Sequence, residues 1–172
     1  LYKAVVTTNG GKQATVYIYV KDTSKVPEDE YVNNGNYKFT IDENGTIKSY
    51  AKIYEELPFS EKVIIPAKVD GANATKVNTN LFNKNLTICS VYFEDGITTV
   101  GNAGFSGATN LKNVYFPNTL EKLEEWSFNG TGIIKLTLPD SLTGWTKNTF
   151  TWMKTIEEIN IGKGVKTFPA AF

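Results

Sequence analysis

Five phenylalanines, Phe82, Phe105, Phe128, Phe150 and Phe172, follow one another at intervals of 23, 23, 22 and 22 residues. A second apolar ladder, Ile88, Leu111, Ile133 and Ile156, runs in step with it. Two interlocked ladders at one period demand a chain of stacked units, because a single unit of this length cannot bury its own apolar face. Neighbours stacked at the spacing of paired strands, about 4.8 Å, share one continuous core. The phenylalanines are therefore expected to form one internal column.

The units can be aligned from about residue 61. The first strand core is Val63-x-Ile65, with equivalents Val91-x-Phe93, Val114-x-Phe116, Leu136-x-Leu138 and Ile159-x-Ile161. A tight turn follows at Pro66, Glu94-Asp95-Gly96, Pro117-Asn118, Pro139-Asp140-Ser141 or Gly162-Lys163-Gly164. Proline lacks an amide hydrogen and ends strand pairing at this point. A second apolar pair comes next: Ile97 and Val100, Leu120 and Leu123, Leu142 and Trp145, Val165 and Phe168. The ladder phenylalanine then closes the unit. The first unit carries extra residues around Asp70-Gly71-Ala72-Asn73, read as a loop insertion. A fixed period of this length with apolar residues at set offsets implies a β-rich leucine-rich-repeat solenoid of 22–23-residue repeats, with short strands and short helical turns.

Two hairpin patterns precede the repeats. In residues 1–22, Tyr2, Ala4 and Val6 alternate into Asn9-Gly10-Gly11, and Ala14, Val16, Ile18 and Val20 return. Residues 23–36 read as a polar linker with Pro27 and the acidic run Glu28-Asp29-Glu30. A second hairpin runs from Tyr37, Phe39 and Ile41 through Asp42-Glu43-Asn44-Gly45 into Ile47 to Ile53. That turn opens like a calcium loop, but the later ligands at the required spacing are missing, so it is read as a turn. The expected division is thus a hairpin at 1–22, a linker at 23–36 and the solenoid at 37–172.

The segment from Leu111 through Val114, Phe116, Pro117 and Leu120 to Phe128 resembles the BspA-like leucine-rich repeats of bacterial surface proteins. So does Val63-Ile64-Ile65-Pro66 with Asp70-Gly71. The resemblance covers about residues 37–172 and implies the fold. It brings no shared catalytic residues. It implies cell-surface adhesion and contact with host or microbial molecules as a tendency only. Ala14-Thr15-Val16-Tyr17-Ile18-Tyr19-Val20 resembles the last strands of a bacterial Ig-like module; the alternative for this hairpin is an N-terminal cap.

Composition removes several chemistries. The 172 residues contain no histidine, so the commonest general base and metal ligand are missing together. Cys89 is the single cysteine, which rules out an intrachain disulfide and a thiolate metal cluster. The 18 basic residues are all lysine and balance 18 acidic ones, so neither a basic stripe nor arginine forks point to nucleic acid. No apolar run reaches the ~18 residues of a membrane span. The carboxylate pairs Glu55-Glu56, Glu124-Glu125 and Glu157-Glu158 are adjacent in sequence. On a strand such neighbours face opposite ways, unlike the facing pair of a glycosidase. No catalytic residue, cofactor or metal is therefore assigned.

What remains is a surface. Alternation places one side of each first strand inward and the other outward. One outward column is Ile64, Tyr92, Tyr115, Thr137 and Asn160; the other is Lys62, Ser90, Asn113, Lys135 and Glu158. Tyr92, Tyr115, Asn113, Lys135, Thr137, Asn160 and Glu158 form the candidate ligand face, combining rigid aromatics with adaptable polar groups. The competing explanation is that the tyrosines simply favour strands and pair across them, and that Lys135 and Glu158 form an ion pair. Trp145 shares the core position of Val100 and Leu123; Trp126 and Trp152 fall off the ladders, near the ladder phenylalanines, where packing is one reading and an exposed anchor for a partner the other. The expected function is a non-catalytic adhesion module, extracellular or wall-attached on a bacterium, for a protein or glycan. Its alternatives are a structural spacer and the targeting module of a larger secreted enzyme. The abrupt start at Leu1 and the ladder residue Phe172 at the other end suggest a segment of a longer exported protein, with end-to-end contact between chains at the last repeat as a further expectation.

Overall fold

The structure is a computed structural model and describes residues 2–7, 13–18, 37–52 and 61–166. Fourteen strands are formed by these residues: β1 (Tyr2–Thr7), β2 (Gln13–Ile18), β3 (Tyr37–Ile41), β4 (Thr46–Lys52), β5 (Glu61–Ile65), β6 (Lys68–Val69), β7 (Ala72–Asn73), β8 (Lys76–Val77), β9 (Ile88–Phe93), β10 (Thr99–Val100), β11 (Asn113–Tyr115), β12 (Lys122–Leu123), β13 (Lys135–Leu138) and β14 (Glu158–Ile161). Strands β1 and β2 pair antiparallel, with Ala4 opposite Val16 and Val6 opposite Ala14. The Asn9–Gly11 turn, the linker, Glu55-Glu56, Phe168 and the last ladder residue Phe172 lie outside the described residues.

Parallel strand pairing runs along two sides of the stack. On one side β5, β9 and β11 pair in order, and β13 pairs with β14. On the other, β8, β10 and β12 pair in register, and a bridge from Lys122 to Gly144 extends them. The two sides enclose the apolar core. Val63, Ile65, Val91, Phe93, Leu136 and Leu138 point into it from one side, and Val77, Val100 and Leu123 from the other. Trp145 follows Gly144 in the line of Leu123 and is half-buried, its ring edge-on to Phe150 at 5.4 Å. Ile161, expected inside, is 51% exposed.

The phenylalanines stack as the period requires. Ring centroids are 5.1 Å apart for Phe82–Phe105, 5.2 Å for Phe105–Phe128 and 6.1 Å for Phe128–Phe150. These values sit near the strand spacing because one ring is contributed per layer. Tyr50 of β4 adds a ring above them, stacked on Phe82 at 4.5 Å. The β3–β4 hairpin therefore stands in for a repeat: it closes the top of the core with Tyr37, Phe39 and Tyr50, and Ile47 pairs in parallel with Val77. Its Asp42 turn is an Asx turn, in which Oδ1 accepts from the amides of Asn44 and Thr46 at 3.0 and 2.9 Å. The Asp70–Gly71 insertion is not a bare loop. It is a small hairpin in which β6 pairs with β7, turned by positive φ at Asp70 (49°) and Gly71 (85°).

Short helical turns are expected in the repeats; among the described residues there are no helices, and the phenylalanine segments are turns. The reason lies in where the amides go. Those of Ala103, Phe105 and Gly107 donate to the carbonyls of Glu125, Ser127 and Asn129 in the next repeat. Those of Gly104, Ser106 and Ala108 close turns onto residues three back. An α-helix bonds its amides, beyond the first turn, to carbonyls four residues back in the same segment. Here half of them hold neighbouring repeats together, so the segments remain stacked turns.

Candidate functional site

The outward side of the first strands is built by the register of the sheet. Ile64 lies opposite Tyr92, and Tyr92 opposite Tyr115. Tyr115 is exposed, at 46%, while Tyr92 and Ile64 are half-buried. Rings held on a pleated sheet lose little further freedom on contact, which suits them to recognition. Thr137 lies opposite Asn160, and Lys135 opposite Glu158. All four are exposed.

The two halves of this face are not joined by a regular ladder. Strand β13 adjoins β11, with the Ile134 amide donating to the Lys112 carbonyl at 3.4 Å, but β11 ends one sheet and β13 begins another. The cause is a shortened loop. Five residues separate Phe128 from Ile133, whereas six separate Phe105 from Leu111. Gly132 in that loop sits so close to the Thr109 carbonyl that a side chain there would collide with it. The sequence columns run unbroken through this point; the structure places Tyr92 and Tyr115 in one group and Thr137, Asn160, Lys135 and Glu158 in another, side by side.

Ser90 departs from expectation. It faces the outer side but is buried, at 3% exposure, between Lys62 and Asn113 in the register. Its hydroxyl accepts from the Asn113 side-chain amide at 3.2 Å. Asn113 itself is exposed. A short side chain flanked by two longer ones is covered by them, which alternation alone does not register.

Lys135 and Glu158 form an ion pair at 2.9 Å, and Asn160 donates to the same carboxylate at 3.0 Å. The hydrogen bond and charge of Glu158 raise the Lys135 ammonium above its ordinary value. The hydrogen bonds from Lys135 and Asn160, with the lysine's charge, hold Glu158 below its own. Of the carboxylate pairs, Glu124 binds Lys76 at 2.8 Å and Glu125 accepts from Asn148 at 2.6 Å, so both are engaged in holding repeats together. Among the described residues no group of three or more acidic or cysteine side chains is placed to hold a metal ion.

The model of one protein family, BspA type leucine rich repeat region, matches residues 75–172 in 6 copies. The chain belongs to that family. Solved structures share the fold at low identity. The pneumococcal vaccine antigen PcpA is 21% identical with a TM-score of 0.62, over 80% of this chain and 34% of that one. A leucine-rich repeat protein from Bacteroides capillosus is 24% identical with a TM-score of 0.60, over 74% of this chain and 94% of that one. A leucine rich cell surface protein from Faecalibacterium prausnitzii is 18% identical with a TM-score of 0.51, over 77% of this chain and 43% of that one. At these identities the likeness is one of fold. The chain spans about a third of PcpA and under half of the Faecalibacterium protein. No curated protein matches it. Among the described residues no helix is long and apolar enough to cross a membrane.

Proposed function

We propose that this BspA-type repeat domain is a non-catalytic binding module displayed on a bacterial surface, contacting a host or microbial protein or glycan through its outer strand face. The observation that carries the reading is the register pair Tyr92–Tyr115, with the exposed Tyr115 bordered by Asn113 and Thr137. Rigid aromatic area beside adaptable amide and hydroxyl groups is the composition of contact surfaces that hold partners tightly. The descriptions of similar folds as a cell surface protein and a vaccine antigen support the location.

A spacer role draws on a different observation. Asn113 with Ser90, and Lys135 with Glu158 and Asn160, spend their polar groups on one another rather than offering them outward. A screen of the domain against extracellular-matrix proteins, mucins and a glycan panel, with a Tyr92→Ala/Tyr115→Ala variant alongside, separates the two. Binding by the wild type and its loss in the folded variant is the expected result. Absence of any ligand would transfer the domain to the spacer role.

A further inference from the structure

We propose that Asn44, at the tip of the β3–β4 hairpin, is a site of spontaneous deamidation, and that its isoaspartyl product loosens the N-terminal end of the repeat stack. Among the described residues, glycine follows asparagine directly at Asn44-Gly45 and at Asn129-Gly130. This order favours an internal reaction, because glycine has no side chain to shield its amide nitrogen. The glycine nitrogen attacks the carbonyl carbon of the asparagine side chain. That carbon–nitrogen bond forms, the bond to the side-chain nitrogen breaks, and the glycine amide proton ends on the ammonia that leaves. The cyclic imide then takes up one water and opens to aspartate or isoaspartate. Solvent supplies everything the reaction consumes, and the chain gains one negative charge.

The sequence treats the two pairs alike, and the structure separates them. Asn44 is exposed, and its carboxamide has no hydrogen-bond partner among the described residues. The Gly45 amide is held within the turn itself, donating to the Asp42 carbonyl at 3.1 Å. Fraying of that one turn frees it. At Asn129 both reacting groups are tied to neighbouring repeats. Its side-chain nitrogen donates to Thr151 Oγ1, its side-chain oxygen accepts from Ser106 Oγ at 3.4 Å, and the Gly130 amide donates to the Thr151 carbonyl at 2.8 Å. Attack there requires stacked repeats to part. The product at Asn44 reaches the stack through Gly45. The Gly45 carbonyl accepts from the amides of Thr75 and Lys76 at 2.8 and 3.2 Å, so the hairpin tip is docked at the start of β8. The fit is close: a Cβ on Gly45 would stand 2.9 Å from the Asn73 carbonyl oxygen. Isoaspartate routes the main chain through the former side chain and lengthens it by one methylene just before this docked residue. The Asp42 carboxylate, which clamps the amides of Asn44 and Thr46, would have to span the longer chain.

The test is incubation of the chain at mildly alkaline pH, folded and in guanidinium chloride, followed by peptide mapping by mass spectrometry, with isoaspartate detected by isoaspartyl methyltransferase. In the folded chain Asn44 should convert about tenfold faster than Asn129 or more, a ratio that a modest difference in local opening supplies. In denaturant the two should convert at comparable rates, because only the structure distinguishes them. Conversion of Asn129 in step with Asn44 in the folded chain would overturn the proposal. So would retention of Asn44 in the folded chain while denaturant converts it. Incubated wild type should then melt below its starting material, whereas Asn44→Ser, which cannot form the imide, should keep its midpoint through the same treatment. An unchanged wild-type midpoint, or an equal fall in Asn44→Ser, would overturn the loosening of the stack.

Discussion

The inward and outward sides of the same strands follow different rules. Inward, every layer repeats the last: Val63, Val91, Val114 and Leu136 in one column, and the rings of Phe82, Phe105, Phe128 and Phe150 in another. Outward, the corresponding column reads Ile64, Tyr92, Tyr115, Thr137 and Asn160, with no residue kept throughout. Stacking explains the contrast. An inward side chain must match the layers above and below it, so one choice propagates along the chain. An outward side chain meets solvent or a partner and is free to differ from its neighbours. Shape is held by what repeats, and binding is offered by what does not.

The largest effect should come from breaking the repeated side. Phe105→Ala removes a ring stacked on both neighbours and leaves a cavity in a closed column, which should cost about 3–5 kcal/mol in denaturant unfolding. A loss no greater than that of a surface substitution would erase the contrast between the two sides. A smaller effect belongs to the lateral contacts. Glu124 joins three repeats, binding Lys76 at 2.8 Å, Lys122 at 3.8 Å and the Asn102 amide at 3.0 Å. Burial pushes its carboxyl up, but the hydrogen bonds from Lys76 and Asn102 and the charges of both lysines outweigh it and leave the group below its ordinary value of 4.5. A depressed folded value contributes stability above the ordinary value, and that stability is lost as pH falls through the lower one. Glu124→Gln should thus be less stable than wild type near neutral pH, and the gap should close in acid. A gap that persists unchanged in acid would remove the charge from the explanation. Least of all is expected from Lys135→Ala, whose exposed pair with Glu158 is screened by solvent. Its melting midpoint should match wild type, and a clear drop would mean that the outer face also carries the fold.

How much of this was legible beforehand follows from the same division. The column from Phe82 to Phe150 and the register of Val91 with Val114 can be read from period alone, because they repeat. Tyr50 escaped the period because it comes from an antiparallel hairpin that replaces a repeat rather than from a repeat. The stacked turns were mistaken for helical ones because apolar spacing does not reveal whether an amide bonds within its own repeat or to the next. The burial of Ser90 depends on the reach of Lys62 and Asn113, and the break between β11 and β13 on one deleted residue before Ile133. On the outer face the sequence showed which residues share a side, and the structure sorted them into groups. Trp126 and Trp152 stand out in the sequence as departures from the ladder; their exposure and shared positive φ come from the structure.

The division between a structural inside and a binding outside is tested most directly by Tyr115→Ala. Its affinity for a ligand found in the surface screen and its denaturant midpoint should be measured on the same preparation. Affinity should fall by about tenfold or more while unfolding stays within about 0.5 kcal/mol of wild type, as for an exposed site. Unchanged affinity, or a stability loss approaching that of Phe105→Ala, would contradict the account.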